Sequence, residues 1–208
     1  MLIQDVFAQK RKLLLSLAKK RAKPGTGSSI AFLQTRTWSF FVSSLQLILK
    51  SAPFAIVGGV ATRLYMPERM TLDIDILIKA EDKALIYRDL EQAKAQKLCD
   101  LSIAGSQWQL ADHTLLDVLE AEDDWVDLAL AQPNYSPDGL PIIALPYLVL
   151  MKLSASRTQD LADISRMLGL ATEQDLAAVQ EVILRYLPTA TEDLESLILL
   201  GRLEISGS

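Results

Sequence analysis

Polar and hydrophobic residues alternate most clearly over residues 72–78. Aspartates occupy positions 73 and 75, and isoleucines fill the positions between and after them. Because residues two apart on a β-strand point to the same face, Asp73 and Asp75 share one face and the isoleucines share the other. The pattern predicts a half-buried strand with two carboxylates side by side, and a divalent cation is the simplest way to satisfy both.

Helical spacing of apolar residues predicts helices over residues 2–22, 28–50 and 81–97. The second of these would be capped by a serine at position 28 or 29. Between the first two, Pro24 to Ser29 contains proline, glycine and serine, and this composition predicts a linker.

Short apolar runs predict strands at residues 54–57, 98–103, 107–110, 114–119 and 140–144. From Pro146 onward the pattern is helical. We expect Gly169 to end one of these helices, and Thr172 with Asp175 to cap the next. This order predicts an α/β (α+β) fold in which helices flank a small mixed sheet, with a helical N-terminal arm and a C-terminal helical tail.

The expected division is a basic helical arm and linker at residues 1–27, an α/β core at 28–145 and a helical region at 146–208. Half of the 208 residues are apolar, which is enough for one good core. A single cysteine, Cys99, excludes an intrachain disulfide framework and fits a reducing compartment. No apolar run is long enough to span a bilayer and the N-terminus does not resemble a signal peptide, so we expect a cytoplasmic protein without a membrane partner.

Charge is distributed unevenly along the chain. Residues 1–50 contain nine Lys and Arg and one acid, whereas residues 51–208 contain twelve Lys and Arg and twenty-five acids. The basic stretch at residues 10–23 suits phosphates, a membrane surface or the acidic remainder of the same chain.

A glycine pair, Gly58-Gly59, follows the first predicted strand and opens a short helix. Backbone N–H groups at such a position are free to bind phosphate, and the missing Cβ atoms let a ligand approach closely. A glycine pair at a strand end is, however, often only a turn.

The glycine pair and the two strand aspartates together are a more specific signal than either feature alone. Val57-Gly58-Gly59, thirteen intervening residues and Asp73-Ile74-Asp75-Ile76 resemble the signature of the DNA polymerase beta-like nucleotidyltransferase superfamily. Gly58-Gly59-Val60-Ala61 followed by Arg69-x-Thr71-x-Asp73-x-Asp75 resembles the bacterial branch related to abortive-infection toxin nucleotidyltransferases. The resemblance extends over about residues 54–168, through Asp117 on a later strand and the run Lys152, Arg157, Asp160 and Asp163.

This resemblance implies a set of roles. Asp73, Asp75 and Asp117 would hold Mg²⁺, or Mn²⁺ in its place, against the triphosphate of an NTP such as ATP. The nucleotide would be bound by Gly58, Gly59, Arg69, Thr71 and Asp160. Lys152 and Arg157 would neutralise charge during transfer, with Asp73, Asp75 and Asp117 as the other catalytic residues.

Structural alternatives stand beside these roles. Asp117 could be an acid on an edge strand, with Asp112 the third carboxylate instead. Lys152 could be a solvated helix lysine, and Arg157 with Asp160 an ordinary helix ion pair. Arg69 could anchor a turn. The sequence also departs from many catalytic members, which carry a serine after the first glycine, where this chain has Gly59 and then Val60.

The leading hypothesis is a magnesium-dependent enzyme that moves a nucleoside monophosphate from an NTP to a hydroxyl acceptor. The acceptor could be RNA such as a tRNA end, a protein side chain or a small molecule. The resemblance also implies a toxin–antitoxin system, with a cognate antitoxin as partner. The alternative is a catalytically silent nucleotide-binding or regulatory module with the same fold.

Overall fold

The computed structural model describes residues 2–22, 45–67, 71 and 73–205, with side chains from Val6 onward. Within these ranges the chain forms two compact units. The sheet unit contains residues 45–64, 71 and 73–144, and the helical unit contains residues 2–22, 65–67 and 145–205.

The sheet unit contains a seven-stranded mixed sheet in the order β3-β4-β5-β2-β1-β7-β6. Its strands are β1 (Ala55–Val57), β2 (Asp73–Lys79), β3 (Gln96–Asp100), β4 (Gly105–Gln109), β5 (Leu115–Ala121), β6 (Asn134–Tyr135) and β7 (Pro141–Ile142). β2 runs parallel to β5 and antiparallel to β1, while β4 runs antiparallel to both β3 and β5. The predicted mixed α/β fold is confirmed.

Helices occur in both units. Those described are α1 (Leu2–Arg21), α2 (Leu45–Ile48), α3 (Gly58–Ala61), α4 (Lys83–Gln92), α5 (Val126–Ala131), α6 (Leu145–Ala155), α7 (Thr158–Leu170), α8 (Glu173–Tyr186) and α9 (Thr191–Ile205). Single 3₁₀ turns lie at Thr62–Leu64, Ala80–Asp82 and Pro188–Ala190. In the described ranges, no helix has the length and apolar character needed to cross a membrane.

The alternation along β2 divides its residues between two environments. Ile74, Ile76 and Ile78 are buried, whereas Asp73 and Asp75 are half-buried. On the face that carries the acids, Leu77 is the next residue along the strand, and it is buried. The two carboxylates therefore lie at the open end of that face.

The helix predicted at residues 81–97 is shorter in the structure, and Lys97 belongs to β3 instead. Helix α4 ends at Gln92 because Lys94 adopts a left-handed conformation, with φ of 62°. The backbone N–H of Ala95 then donates to the carbonyl of Leu90, which closes the last turn. A lysine at such a position is rare, and the apolar pattern gives no sign of it.

Gly169 does not end its helix, and that prediction was wrong. It lies inside α7, where an added Cβ would be 2.6 Å from the carbonyl oxygen of Gly201 on α9. The glycine is needed for a close helix crossing. Thr172 does cap α8, since its hydroxyl accepts a hydrogen bond from the backbone N–H of Asp175.

Several predictions lie outside the described residues: the linker at Pro24 to Ser29, most of the helix at 28–50, and Arg69. Helix α1 confirms the helix predicted over residues 2–22. Its Arg11 is buried in the helical unit and donates to Asp193 Oδ2 at 2.6 Å and to Ser156 Oγ at 2.7 Å. The partners considered for the basic stretch were phosphates, a membrane surface and the acidic remainder of the chain. Arg11 forms its ion pair with the last of these, at Asp193.

Candidate active site

The register of the sheet brings two of the three predicted acids together. Asp75 on β2 is the direct cross-strand partner of Asp117 on β5. Asp73 lies two residues before Asp75 and shares its face of the strand. Strand β5 has β2 on one side and β4 on the other, so the alternative of an edge-strand acid at Asp117 is wrong.

The backbone of Gly58 packs against the carboxylate of Asp75. Its φ is +62°, and an added Cβ would be 1.9 Å from Asp75 Oδ2. Only glycine can occupy this position, because a side chain would meet the acid and the backbone conformation is left-handed. The glycine at position 58 is therefore required by the place of the Asp75 carboxylate. The expected phosphate contacts of Gly58 and Gly59 stay a prediction, and helix α3 is only four residues long.

Two further residues contact the acids directly, one at the backbone and one at the side chain. The hydroxyl of Thr71 makes a long contact of 3.4 Å to the backbone carbonyl of Asp73, at the start of β2. Asp117 accepts a hydrogen bond of 2.9 Å from the side-chain amide of Gln107 on β4. Asp112, the alternative third carboxylate, is exposed in the turn before β5 and accepts from the backbone N–H of Thr114.

The acids fit Mg²⁺ by donor type. Carboxylate oxygens are hard ligands of the kind that Mg²⁺ and Mn²⁺ prefer, and Asp75 and Asp117 are in register on interior strands. Throughout the residues that the structure describes, however, no three His, Cys, Asp or Glu side chains converge as a ready-made metal site. The fit is one of backbone position and donor chemistry, not of a complete coordination shell.

Lys152, Arg157, Asp160 and Asp163 belong to the helical unit. The side chain of Lys152 is only 5% exposed, and its ammonium group donates to Asp160 Oδ1 at 3.2 Å and to Asp163 Oδ2 at 2.8 Å. Lys152 is therefore not the solvated helix lysine considered as an alternative. Its contacts favour a structural role, in which one buried cation compensates two buried carboxylates.

Arg157 is bound to the same cluster from outside. Its Nε lies 2.7 Å from Asp160 Oδ2, while its own side chain is 75% exposed. Burial raises the pKa of Asp160, but the hydrogen bond from Arg157 and the charge of Lys152 outweigh burial and hold that pKa below its usual range. The helix ion pair foreseen between Arg157 and Asp160 is present, and a role of Arg157 in transfer stays a prediction.

Sequence reasoning missed Gln107. The signal was present, since the strands predicted at 107–110 and 114–119 are joined by a turn centred on Asp112. An antiparallel hairpin about that centre pairs Gln107 with Asp117, as the structure shows. A short apolar run predicts only its own strand, and the partner of Asp117 emerges only when the two runs are paired as a hairpin.

No protein-family model matches the chain, and no curated protein matches it in sequence. The solved structures that resemble it include the crystal structure of ANT(2")-Ia in complex with adenylyl-2"-tobramycin, with 17% identity over 73% of this chain and 87% of that one, at a TM-score of 0.41. The solution structure of the antibiotic-resistance factor ANT(2'')-Ia shares 18% identity over 73% and 82% of the two chains, at a TM-score of 0.39. Neither likeness bears on function at these values, so the function has to be inferred from the chain's own residues.

Proposed function

We propose that this chain is a nucleotidyltransferase that moves a nucleoside monophosphate from an NTP to a hydroxyl group. The observation that carries the proposal is the placement of Asp75 and Asp117 as cross-strand partners on interior strands, with Asp73 on the same face. Two carboxylates in register, with a third on the same face of β2, are hard oxygen donors suited to a divalent cation. A triphosphate brings one with it.

Asp73, Asp75 and Asp117 would hold the divalent cation, Mg²⁺ or Mn²⁺. When bound, the cation would neutralise charge on the phosphates during displacement. Asp117 would also orient the attacking hydroxyl or accept its proton. The hydroxyl oxygen forms a bond to the α-phosphorus, the bond from that phosphorus to the bridging oxygen breaks, and pyrophosphate leaves.

Gly58 serves this site by leaving room for Asp75. Because a Cβ at position 58 would overlap Asp75 Oδ2, the glycine lets the carboxylate lie against the backbone that follows β1. Thr71 would hold the start of β2 through its contact with the carbonyl of Asp73.

The acceptor class is a second part of the proposal. Five basic residues on α1 have exposed side chains, namely Lys10, Lys12, Lys19, Lys20 and Arg21. Exposed Lys and Arg bind phosphate backbones without sequence preference, so RNA, such as a tRNA end, is the acceptor that we favour over a protein side chain or a small molecule. An antitoxin partner stays an expectation from the family resemblance.

The test is label transfer from each of the four NTPs, with Mg²⁺, to total RNA or cell lysate. We expect transfer by the unaltered protein and a fall of at least about a thousandfold for Asp73→Asn/Asp75→Asn, since the lost charge stabilisation is several kcal/mol and each 1.4 kcal/mol is tenfold in rate. Asp117→Asn should behave in the same way.

Asp112→Asn is the matched control, because the same change falls on an exposed acid in the turn beside β5, and it should leave transfer unchanged. Transfer that survives the double substitution would refute the metal assignment. Magnesium-dependent NTP binding without any labelled acceptor would favour the silent nucleotide-binding module, the alternative motivated by Gly59 and Val60, neither of which supplies the hydroxyl of the serine that many catalytic members carry after the first glycine.

A further inference from the structure

A row of side chains runs across four adjacent strands at the proposed site. Gln107 on β4 pairs with Asp117 on β5, Asp117 pairs with Asp75 on β2, and Asp75 pairs with Val57 on β1. The row ends at Gly58, against which the carboxylate of Asp75 lies. Gln107 is the uncharged polar member of this row, and its amide nitrogen is 2.9 Å from Asp117 Oδ1.

We propose that Gln107 is a positioning residue that fixes Asp117 for cation binding. The inference rests on the proposed function, because it assigns a partner to one of the three carboxylates. The amide donates to one oxygen of Asp117 and leaves the other oxygen for the cation. Hydrogen-bonded partners of this kind orient metal-binding carboxylates and tune their affinity.

The chemistry of a carboxamide suits the position. A lysine would neutralise Asp117 itself and compete with the cation, whereas a glutamate would add a like charge 2.9 Å or so from Asp117 Oδ1, the separation that the amide nitrogen has. Glutamine supplies a donor without adding a charge of its own beside Asp117.

Gln107 and its two neighbours on β4 point to opposite faces of the sheet. The neighbours Ser106 and Trp108 point to the opposite face and are buried there, where the indole N–H of Trp108 donates to the Ser106 hydroxyl. Gln107 is half-buried on the face of the acids. The hydrogen bond to Asp117 gives the amide of Gln107 a partner on that face.

The experiment measures Mn²⁺ binding to the full chain by titration calorimetry, and thermal unfolding in EDTA and in Mn²⁺. For Gln107→Met, which removes the donor at similar size, we expect Mn²⁺ binding about 10- to 100-fold weaker, the usual effect of losing such a partner. The Mg²⁺ concentration for half-maximal transfer should rise by a similar factor, and kcat should recover at saturating Mg²⁺.

Charged variants give effects of opposite sign, which a merely structural residue would not produce. Gln107→Glu should lower Tm in EDTA and show a larger Mn²⁺-induced rise in Tm than the unaltered protein. Gln107→Lys should raise Tm in EDTA and show a smaller rise. Gln109→Glu and Gln109→Lys are matched controls, because Gln109 lies on the same strand and face but pairs with Leu115, which separates it from Asp73 on β2, and they should change the Mn²⁺ response much less than the Gln107 variants.

The outcomes distinguish a failure of the role of Gln107 from a failure of the proposed function. If the unaltered protein binds Mn²⁺ and transfers label, and Gln107→Met binds Mn²⁺ within twofold of it, the role of Gln107 is refuted and the proposed function stands. If the unaltered protein binds no Mn²⁺ with or without NTP, both fail. If Gln107→Met does not fold, equal Mn²⁺ responses of the Glu and Lys variants would overturn the inference.

Discussion

Two groups of carboxylates in this chain are balanced in different ways. On strands β2 and β5, Asp75 faces Asp117 across the sheet and Asp73 stands on the same side, so acids are placed next to acids. In helices α6 and α7, Asp160 and Asp163 both meet the ammonium group of Lys152, so acids are placed around a cation from the protein. Carboxylates held around a buried ammonium group stabilise the fold, whereas carboxylates in register on a rigid sheet are suited to binding a divalent cation.

The largest effect that separates the two groups is expected at Lys152. Lys152→Met would leave Asp160 and Asp163, whose side chains are 2% and 0% exposed, without their shared cation. Breaking a buried pair in this way usually costs about 3–5 kcal/mol. Chemical denaturation of the purified variant at neutral pH measures the loss.

Lys79→Met is the matched control for that change. Lys79 also contacts two acids, Glu81 and Asp127, but their side chains are 70% and 69% exposed. Exposed ion pairs contribute at most about 1 kcal/mol. Should Lys152→Met prove as stable as Lys79→Met, Lys152 would not be a structural cation, and the predicted role in transfer would gain.

The two groups also differ in how far the sequence reveals them. The strand acids follow from a two-residue alternation, which sets the face of each residue on its own strand. The helix cluster does not, because α6 is apolar nearly all round, and Leu148, Val149, Leu150 and Leu153 are all buried with Lys152. Without a polar face, helical periodicity does not show whether its single lysine points inward.

Strand pairing within the sheet is likewise not predicted by the alternation along one strand. The positions of Asp75 and Asp117 on strands were predicted, but their pairing depends on a parallel register set by the elements between the two strands. The left-handed lysine at position 94 moved a helix end by five residues, and the close approach of Gly169 to Gly201 replaced an expected helix end. The strand register and the glycine approach depend on tertiary contacts that one stretch of sequence does not contain, whereas the conformation of Lys94 is local and leaves no mark on the apolar pattern.

The next largest effect should come from the glycine under Asp75. Gly58→Ala adds a Cβ that would overlap Asp75 Oδ2, at a φ of +62°. The left-handed backbone costs about 1–2 kcal/mol for a residue with a side chain, and the overlap adds about 1–3 kcal/mol. Transfer activity should fall as well, because Asp75 has to move away. Denaturation and label transfer measure the two effects.

Gly139→Ala isolates the backbone contribution. Gly139 has a φ of +83°, yet an added Cβ would meet nothing within 4 Å. We expect a loss of about 1–2 kcal/mol with transfer unchanged. Equal effects of the two substitutions on stability and transfer would show that Gly58 is not shaped around the carboxylate.

The smallest effect is expected at the exposed edge of the helix cluster, and it depends on pH. The hydrogen bond from Arg157 and the charge of Lys152 outweigh burial and hold the pKa of Asp160 below its usual range. The ionised group therefore stabilises the fold above the unfolded-chain pKa of about 3.9, and this stabilisation is lost as the pH falls through the lower folded pKa. Arg157→Ala should lose no more than about 1 kcal/mol at pH 7, because Arg157 is exposed. The difference from the unaltered protein should shrink on acidification, as measured by denaturation between pH 7 and pH 3.

In an Asp160→Asn background, Arg157→Ala should show no such pH dependence. A difference that stays constant with pH would mean that Arg157 acts on stability through some group other than Asp160.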